Sequence, residues 1–370
     1  MEARDEDRGF LSRWLDETER NAFSRRSSRM ALAIFAIEVL AYAGFVTLAI
    51  APLAWFVNVL GGVLAGLAIG VIFTVGHDAC HQSLTPSRAL NRWIARLSFI
   101  PSLHAASLWV LGHNQIHHGR TNLRGHDYVW EPMSPEDYRA SAGWRRMQYR
   151  IYRSRWGSLP YYLIEMWWKK NFLPIAPEAR SHWRRHVVDS GFVVLAGGLH
   201  LGAILFVASS WAPDRSLWWP LLAGCLVPFL VWNWLMGLII YSHHTHPEVP
   251  WFADDREWSY FGSQVLGTVH VRLPPPFHWV DNNIMEHTAH HAWPVIPLYH
   301  LPTAQQRIRA AFPAVKSLTL WPRVFFGIAD ACKLFDYRAR RWTDFAGRPS
   351  GPALSLTTPP APIEQLASGS

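Results

Sequence analysis

Three histidine clusters are the residues of this sequence with the clearest chemical potential. They read His77-Asp-Ala-Cys-His81, His113-Asn-Gln-Ile-His117-His118 and His287-Thr-Ala-His290-His291. In the first two, histidines four residues apart would lie on one face of a helix. Eight imidazoles exceed the four ligands of a structural zinc site. The clusters therefore predict two metal ions, and zinc, copper, iron and nickel all suit imidazole ligands.

Long apolar stretches surround these clusters. Hydrophobic residues make up 50% of the 370-residue chain, which also contains 21 tryptophans. Stretches of about 20 apolar residues can cross a bilayer as helices, and four are present, at about 31–50, 53–75, 190–211 and 217–241. We expect an all-α membrane protein whose four transmembrane helices form two hairpins. A cytoplasmic helical cap, from segments 76–189 and 242–345, would hold the histidine site.

The distribution of arginine predicts the orientation in the membrane. Arginines are frequent before the first stretch and between the second and third, whereas the short opposite loops contain only Arg215. By the positive-inside rule, the amino terminus and the long middle segment are cytoplasmic. All three clusters then share the cytoplasmic face. Segment 97–111 would span only about 22 Å as a helix, so we expect an interfacial or re-entrant helix there.

The remaining composition limits the function classes. The net charge of +8 points to anionic lipid headgroups rather than nucleic acid, because the arginines adjoin apolar helices and no nucleic-acid module is recognisable. The three widely spaced cysteines predict neither a disulfide framework nor a zinc ribbon. One domain is expected over 1–345, and a disordered tail over 346–370, because this tail contains few large apolar residues.

The order of the clusters resembles the histidine boxes of the membrane fatty acid desaturase superfamily. Further similar segments are Trp130-Glu-Pro132, His243-His-Thr245 and Gly267-Thr-Val-His270. Together they cover about residues 70–310 and are most like acyl-lipid delta-12 (omega-6) desaturases. The second box has the spacing HxxxHH where many plant delta-12 enzymes have HxxHH. This difference bears on where a double bond would be placed.

The resemblance implies an enzyme with two iron ions, with O₂ as co-substrate and a fatty acyl lipid as substrate. It implies nine iron ligands, namely His77, His81, His113, His117, His118, His244, His287, His290 and His291. Asp78 and His270 would orient ligands by hydrogen bonding. No catalytic side chain is predicted beyond the ligands, and the product would contain a cis double bond.

No haem-binding HPGG motif or nucleotide-binding glycine pattern is present in the sequence, so electrons would come from a separate protein. A ferredoxin or a cytochrome b5 could dock by charge complementarity, and the predicted docking surface contains Arg145, Arg146, Arg150 and Arg153.

Two alternatives stay open from the residues alone. A related di-iron hydroxylase or ketolase, acting on a carotenoid or an alkane, would have the same boxes. A metal-binding membrane protein without enzymatic activity would also place histidines beside apolar helices. Intramembrane polar residues on several helices would favour that second alternative, because ions would have to pass between them.

Overall fold

Helices dominate the chain in the computed structural model, which describes residues 15–275 and 281–355. The α-helices, in chain order, are α1 (Glu17–Phe23), α2 (Ser28–Ile50), α3 (Trp55–Cys80), α4 (Arg88–Ser98), α5 (Ala106–Trp109), α6 (Pro135–Ala140), α7 (Gly143–Tyr152), α8 (Ser158–Tyr161), α9 (Trp183–Trp211), α10 (Trp218–Leu221), α11 (Val227–His244), α12 (His287–Ala292), α13 (Leu301–Ala311) and α14 (Pro322–Ala331). The all-helical expectation therefore holds for most of the described chain.

Wider π-helical turns and short strands complete the secondary structure. The π-helical segments are Val110–His117, Tyr162–Phe172, Leu222–Leu226 and Phe261–Val265, and the 3₁₀ segments are Pro177–Arg180 and Leu298–His300. The strands are β1 (Val269–Arg272), β2 (Lys316–Thr319), β3 (Leu334–Asp336) and β4 (Arg341–Thr343). β1 pairs with β2 in parallel, with Val269 opposite Lys316, and β3 pairs with β4 antiparallel. These strands were not predicted.

The chain divides into two compact units. The first, the helical unit, contains residues 26–114 and 158–238. The second, the mixed unit, contains residues 1–25, 115–157 and 239–370, and all four strands belong to it. The boundaries fall inside the helical stretches Val110–His117 and Val227–His244.

Four helical stretches are long and apolar enough to cross a membrane, as predicted. They lie within Glu17–Ile50, Trp55–Cys80, Trp183–Trp211 and Trp218–His244. The third begins earlier than the predicted residue 190 because its polar first turns have partners. His186 Nδ1 lies 3.0 Å from the Ser107 hydroxyl, and Asp189 accepts hydrogen bonds from Arg96. A hydropathy pattern cannot show such partners.

Glycines let α3 approach the helix 218–244 closely. A Cβ atom on Gly66 would lie 2.6 Å from Val231 Cβ and 2.8 Å from the Pro228 carbonyl oxygen. A Cβ on Gly62 would lie 2.4 Å from the Ala223 carbonyl oxygen. Small residues at such positions allow backbones to pack without the gap that side chains would impose.

Three predictions about individual segments need comment. Segment 97–111 is not one interfacial helix, because it contains the end of α4, a loop and then α5. The loop is stabilised by local bonds, including His104 Nδ1 to the Ser102 carbonyl oxygen at 2.8 Å. In the predicted tail, Ser350 and Leu354 donate backbone hydrogen bonds to residues 342 and 340. Residues 356–370 lie outside the described part of the chain.

Arg153 is not part of an exposed arginine surface. Its residue is 2% exposed, and its guanidinium lies 5.5–5.9 Å from the ring centroids of four aromatic residues, which are Trp130, Tyr149, Tyr241 and Trp342. It also donates a hydrogen bond to the Trp130 carbonyl oxygen. Cation–π contacts of this kind are strongest where water is excluded, so Arg153 is a core residue of the mixed unit.

The glycine packing predicts a contrast between two substitutions. Gly66→Ala should destabilise the protein by about 1–3 kcal/mol, because the added methyl group overpacks the contact with Val231. Gly198→Ala, on α9, is the matched control, since its Cβ would meet no atom within 4 Å. Thermal unfolding of both variants in one detergent measures the difference. Equal melting temperatures for the two variants would contradict this account of the α3 contact.

Candidate metal-binding histidines

Three of the nine predicted ligands lie together in the helical unit. His77 and His81 are at the carboxyl end of α3, and His113 is in the π-helical segment after α5. The Nε2 atoms of His77 and His113 are 2.8 Å apart. The ring centroids of His81 lie 4.9 Å and 5.2 Å from those of His77 and His113. The three imidazoles thus form one local group.

Neighbouring side chains orient this group. Asp78 is fully buried, and its Oδ1 lies 3.2 Å from His77 Nδ1. The ring of Trp109 stacks on that of His113 with centroids 4.6 Å apart. A Cβ on Gly76 would lie 2.6 Å from the Phe99 ring, so this glycine permits close packing just before His77. A carboxylate at Nδ1 favours the tautomer that leaves the Nε2 lone pair available.

The other six predicted ligands lie in the mixed unit, and they approach one another as Nε2 pairs. His244 Nε2 lies 3.1 Å from His117 Nε2 and 2.9 Å from His287 Nε2. His118 Nε2 lies 3.1 Å from His290 Nε2. The ring of His291 stacks on that of His118 at 4.1 Å. All six are buried except His118, which is half-buried.

These distances suit metal ligands. Two nitrogens, each about 2.1 Å from one ion and at right angles, would lie about 3 Å apart. The four Nε2 separations given above, from 2.8 to 3.1 Å, match this value. Ligand atoms of His117, His244 and His291 all lie within 4.8 Å of one another and could hold one ion.

Two buried polar side chains fix the orientation of rings in the mixed unit. Asp127 Oδ2 accepts a hydrogen bond from His117 Nδ1 at 2.9 Å, and it also accepts one from the Asn122 backbone N–H. Gln264 Oε1 accepts from His291 Nδ1 at 2.7 Å, while its amide nitrogen donates to the His118 carbonyl oxygen. Both rings then present Nε2 as the atom with the free lone pair.

His291 provides the test of whether a metal fits here. Its Nε2 is buried and has no hydrogen-bond partner among the described residues. An unsatisfied buried nitrogen costs about 1–3 kcal/mol. A metal ion would satisfy this atom, and the surrounding imidazoles are the donor type that iron, zinc and copper accept. The residues present therefore fit a metal site.

The protonation of these rings also favours metal binding. Burial, and after it the neighbouring imidazoles, lowers the pKa of His287 and of His291 well below the usual range of histidine. Both rings are therefore neutral near pH 7. A neutral imidazole keeps the lone pair that a metal requires.

Other histidines near the sequence clusters have different contacts. His243 Nε2 lies 3.3 Å from the sulfur of Met285, and His246 Nδ1 accepts a hydrogen bond from the Glu248 backbone N–H. The structure therefore places His244, rather than His243 or His246, among the Nε2 pairs.

His270 lies beside the cluster but makes its contacts elsewhere. Its Nε2 pairs with Glu286 at 2.9 Å, and its Nδ1 lies 3.1 Å from the Ser317 hydroxyl. It reaches the site through Glu286, the residue before His287, and not by a described bond to a ligand ring.

Asp127 and Gln264 were missed by the sequence analysis. Asp127 is ten residues beyond His117, and Gln264 is far from every box in the chain. A buried acidic residue shortly after a histidine box was a usable signal for Asp127. Nothing local in the sequence marks Gln264, because its role depends on the contact between the segment 261–265 and α12.

Comparisons with known proteins agree with this donor set. Residues 53–323 match the model of a family described as fatty acid desaturase. The chain is 28% identical to the sn-1 oleoyl-lipid 12-desaturase of Arthrospira platensis, over 70% of each chain. It is 28% identical to the chloroplastic omega-6 fatty acid desaturase of Brassica napus, over 81% of this chain and 65% of that protein.

A third relative is named with its electron donor. The sn-1 acyl-lipid omega-3 desaturase (ferredoxin) of Synechocystis sp. is 30% identical over 75% of this chain and 74% of its own length.

The orienting role of Asp127 gives a measurable expectation. Asp127→Asn removes the negative charge that holds His117, and loss of such a partner typically weakens metal affinity about 10–100-fold. Titration with Co²⁺, followed by its visible absorption, measures the dissociation constant. The control is Asp255→Asn, because the Asp255 side chain is 64% exposed. An unchanged Co²⁺ affinity in a folded Asp127→Asn protein would contradict this role.

Proposed function

The chain belongs to the fatty acid desaturase family, and we propose that it introduces a cis double bond into a lipid-linked fatty acyl chain, using O₂ and two iron ions. The matched family and the named relatives confirm both the resemblance drawn from the histidine boxes and the prediction of an enzyme. The observation that supports the finer proposal is the set of Nε2 pairs near 3 Å formed by buried histidines.

The reaction explains why such a metal-binding set is needed. A methylene group of an acyl chain has no acidic proton and no leaving group, so acid–base catalysis by side chains cannot remove its hydrogens. Iron, when bound, supplies the O₂-dependent oxidation. The overall change takes two hydrogens from adjacent carbons and consumes one O₂, two electrons and two protons, with release of two water molecules.

The protein's own residues would hold and orient the metals. We propose the nine predicted histidines as ligands: His77, His81 and His113 from the helical unit, and His117, His118, His244, His287, His290 and His291 from the mixed unit. Asp78, Asp127 and Gln264 would keep ligand rings in the tautomer that presents Nε2. His270 would hold the start of α12 through Glu286. Burial of the rings excludes water from the reactive surface.

The membrane arrangement is part of the proposal. Four crossings, with the amino terminus in the cytoplasm, would place the carboxyl ends of α3 and α11 on the cytoplasmic side, because two crossings separate them. His77 and His81 end one of these helices, and His244 ends the other.

The substrate and the electron donor follow from the relatives. A glycerolipid-linked acyl chain and delta-12-like placement are supported by the names of the Arthrospira and Brassica proteins. A ferredoxin as electron donor is supported by the name of the Synechocystis relative, and a cytochrome b5 would supply electrons equally.

Expression in a desaturase-deficient host tests the reaction. We expect dienoic fatty acid methyl esters that the host lacks, and we expect His117→Ala to abolish them because that ring belongs to an Nε2 pair. His246→Ala is the matched control, since this half-buried histidine lies outside the pairs. Oxygenated carotenoids or alkanes without new double bonds would instead support a hydroxylase or ketolase. Identical profiles with and without the gene would reject the proposed reaction.

Metal analysis tests the cofactor separately. Purified protein should contain two iron ions per chain, and His117→Ala should lower the iron content while His246→Ala leaves it unchanged. The metal content of detergent-purified protein can be measured by mass spectrometry. A protein stably loaded with zinc alone, and inactive after iron is supplied, would contradict the di-iron proposal.

A further inference from the structure

The exposed apolar side chains of the mixed unit are concentrated in one segment. In the described part of this unit, the large hydrophobic residues with high exposure are Trp144 (67%), Met147 (63%), Ile151 (48%), Trp156 (71%) and Trp321 (46%). Four of these five lie within residues 144–156. Single exposed apolar side chains are normal on a protein surface, but a contiguous group marks a contact surface.

The helix α7 presents three of them on its outer face. Trp144, Met147 and Ile151 have the spacing i, i+3, i+7, which places them along one stripe of a helix. The buried residues of α7 are Tyr149 and Tyr152, which lie on the opposite side of the helical wheel. The Tyr149 hydroxyl donates to the Lys333 carbonyl oxygen and accepts from the Met133 N–H. The helix therefore packs on its unit with one face and leaves the apolar stripe outside.

Positive charge flanks the stripe. Residues 143–156 include five arginines and no acidic residue. Arg153 is buried in its aromatic cage and Arg155 is paired with Asp330, so neither adds exposed unpaired charge. Arg145 and Arg146 are exposed, and Arg146 also donates to the Arg139 and Ser141 carbonyl oxygens.

Arg150 is the third exposed arginine of this segment. It hydrogen-bonds to the Tyr138 hydroxyl, and its guanidinium lies over the Phe345 ring at 5.1 Å. These contacts hold the guanidinium in place and leave its charge without a carboxylate among its described contacts.

We propose that α7 and the following Trp156 form an interfacial helix, which inserts its apolar stripe into the bilayer surface and binds anionic lipid headgroups through its arginines. Short amphipathic helices with arginines beside tryptophan and aliphatic residues lie in this layer, and tryptophan prefers the boundary between headgroups and acyl chains. Each arginine near an anionic surface adds to the attraction.

A bilayer fits this surface better than the electron donor does. A soluble acidic donor would match the arginines, but it must dissociate after each transfer, and the tryptophans, Met147 and Ile151 would then return to water. A bilayer covers the stripe permanently, because the same chain contains four helices of membrane length. This inference depends on membrane insertion and not on the proposed desaturation, so the two can fail separately.

A spin label on the stripe tests the proposal in the full-length protein. The background is Cys225→Ala, because Cys80 and Cys332 are buried and Cys225 is only partly so. The stripe label is at Met147→Cys, and the control label is at Gln306→Cys, an exposed polar position of α13 in the same unit. Both proteins are placed in nanodiscs of phosphatidylcholine, with or without phosphatidylglycerol.

In phosphatidylglycerol nanodiscs, the label at 147 should collide more with O₂ than with a water-soluble nickel chelate. The label at 306 should do the reverse in both lipid mixtures. An aqueous label at 147 in both mixtures would overturn the proposal. If Met147→Cys fails to fold, Ile151→Cys gives the same measurement on the same stripe.

The charge of the helix can be tested in the same nanodiscs. Arg145→Gln should lower the ratio of embedded to aqueous label at 147 about fivefold, as expected for one arginine near an anionic surface. Arg309→Gln, at an exposed arginine of α13, is the matched control and should leave the ratio unchanged. An equal response to both substitutions would overturn the headgroup-binding part.

Other occupants of the stripe would give distinct signals. A label at 147 that is aqueous in nanodiscs and becomes immobilised only with added reduced ferredoxin would show a donor-docking surface instead. Dipolar broadening between labels at 147 on two copies would show that a second copy of this chain covers the stripe. Either result would replace the lipid proposal.

Discussion

The burial of many neutral imidazoles is the constraint on which the candidate site depends. A buried imidazole nitrogen needs a partner, and a charged imidazole would be disfavoured by burial. The structure meets this requirement in two ways. Carboxylates and an amide accept the Nδ1 protons of selected rings, and the Nε2 atoms converge on one another at about 3 Å. Such convergence of lone pairs is stabilising when a cation accepts them.

The helices supply the rigidity that this arrangement requires. His77 and His81 stand at the end of a 26-residue helix whose glycines pack directly against a neighbouring backbone. His244 stands at the end of α11 in the same manner. A ligand at the end of a long packed helix has little freedom to move, and this preorganises its nitrogen for metal binding. The π-helical segment before His117 changes the spacing of side chains relative to an α-helix, which affects where His113 and His117 point.

Arginine has three different roles within a short part of the mixed unit. Arg153 is enclosed by aromatic rings, Arg155 pairs with Asp330, and Arg145 is exposed beside an apolar stripe. Predicting all of 145–153 as a docking surface treated these residues as equivalent. Their environments are set by contacts with residues 130, 241, 330 and 342, which are distant in the chain, so a count of charges could not separate them.

The sequence by itself determined the apolar helices, the family and the identity of the candidate ligands, because hydrophobic length and histidine spacing are local properties of the chain. It also favoured His244 over its neighbours through resemblance alone. Only the tertiary structure decided that Asp127 and Gln264 orient ligand rings, that Arg153 is buried, that His270 contacts Glu286, and that α7 has an outward apolar face. Each of these depends on contacts between segments far apart in the sequence, and a local pattern contains no information about which partner a side chain will meet.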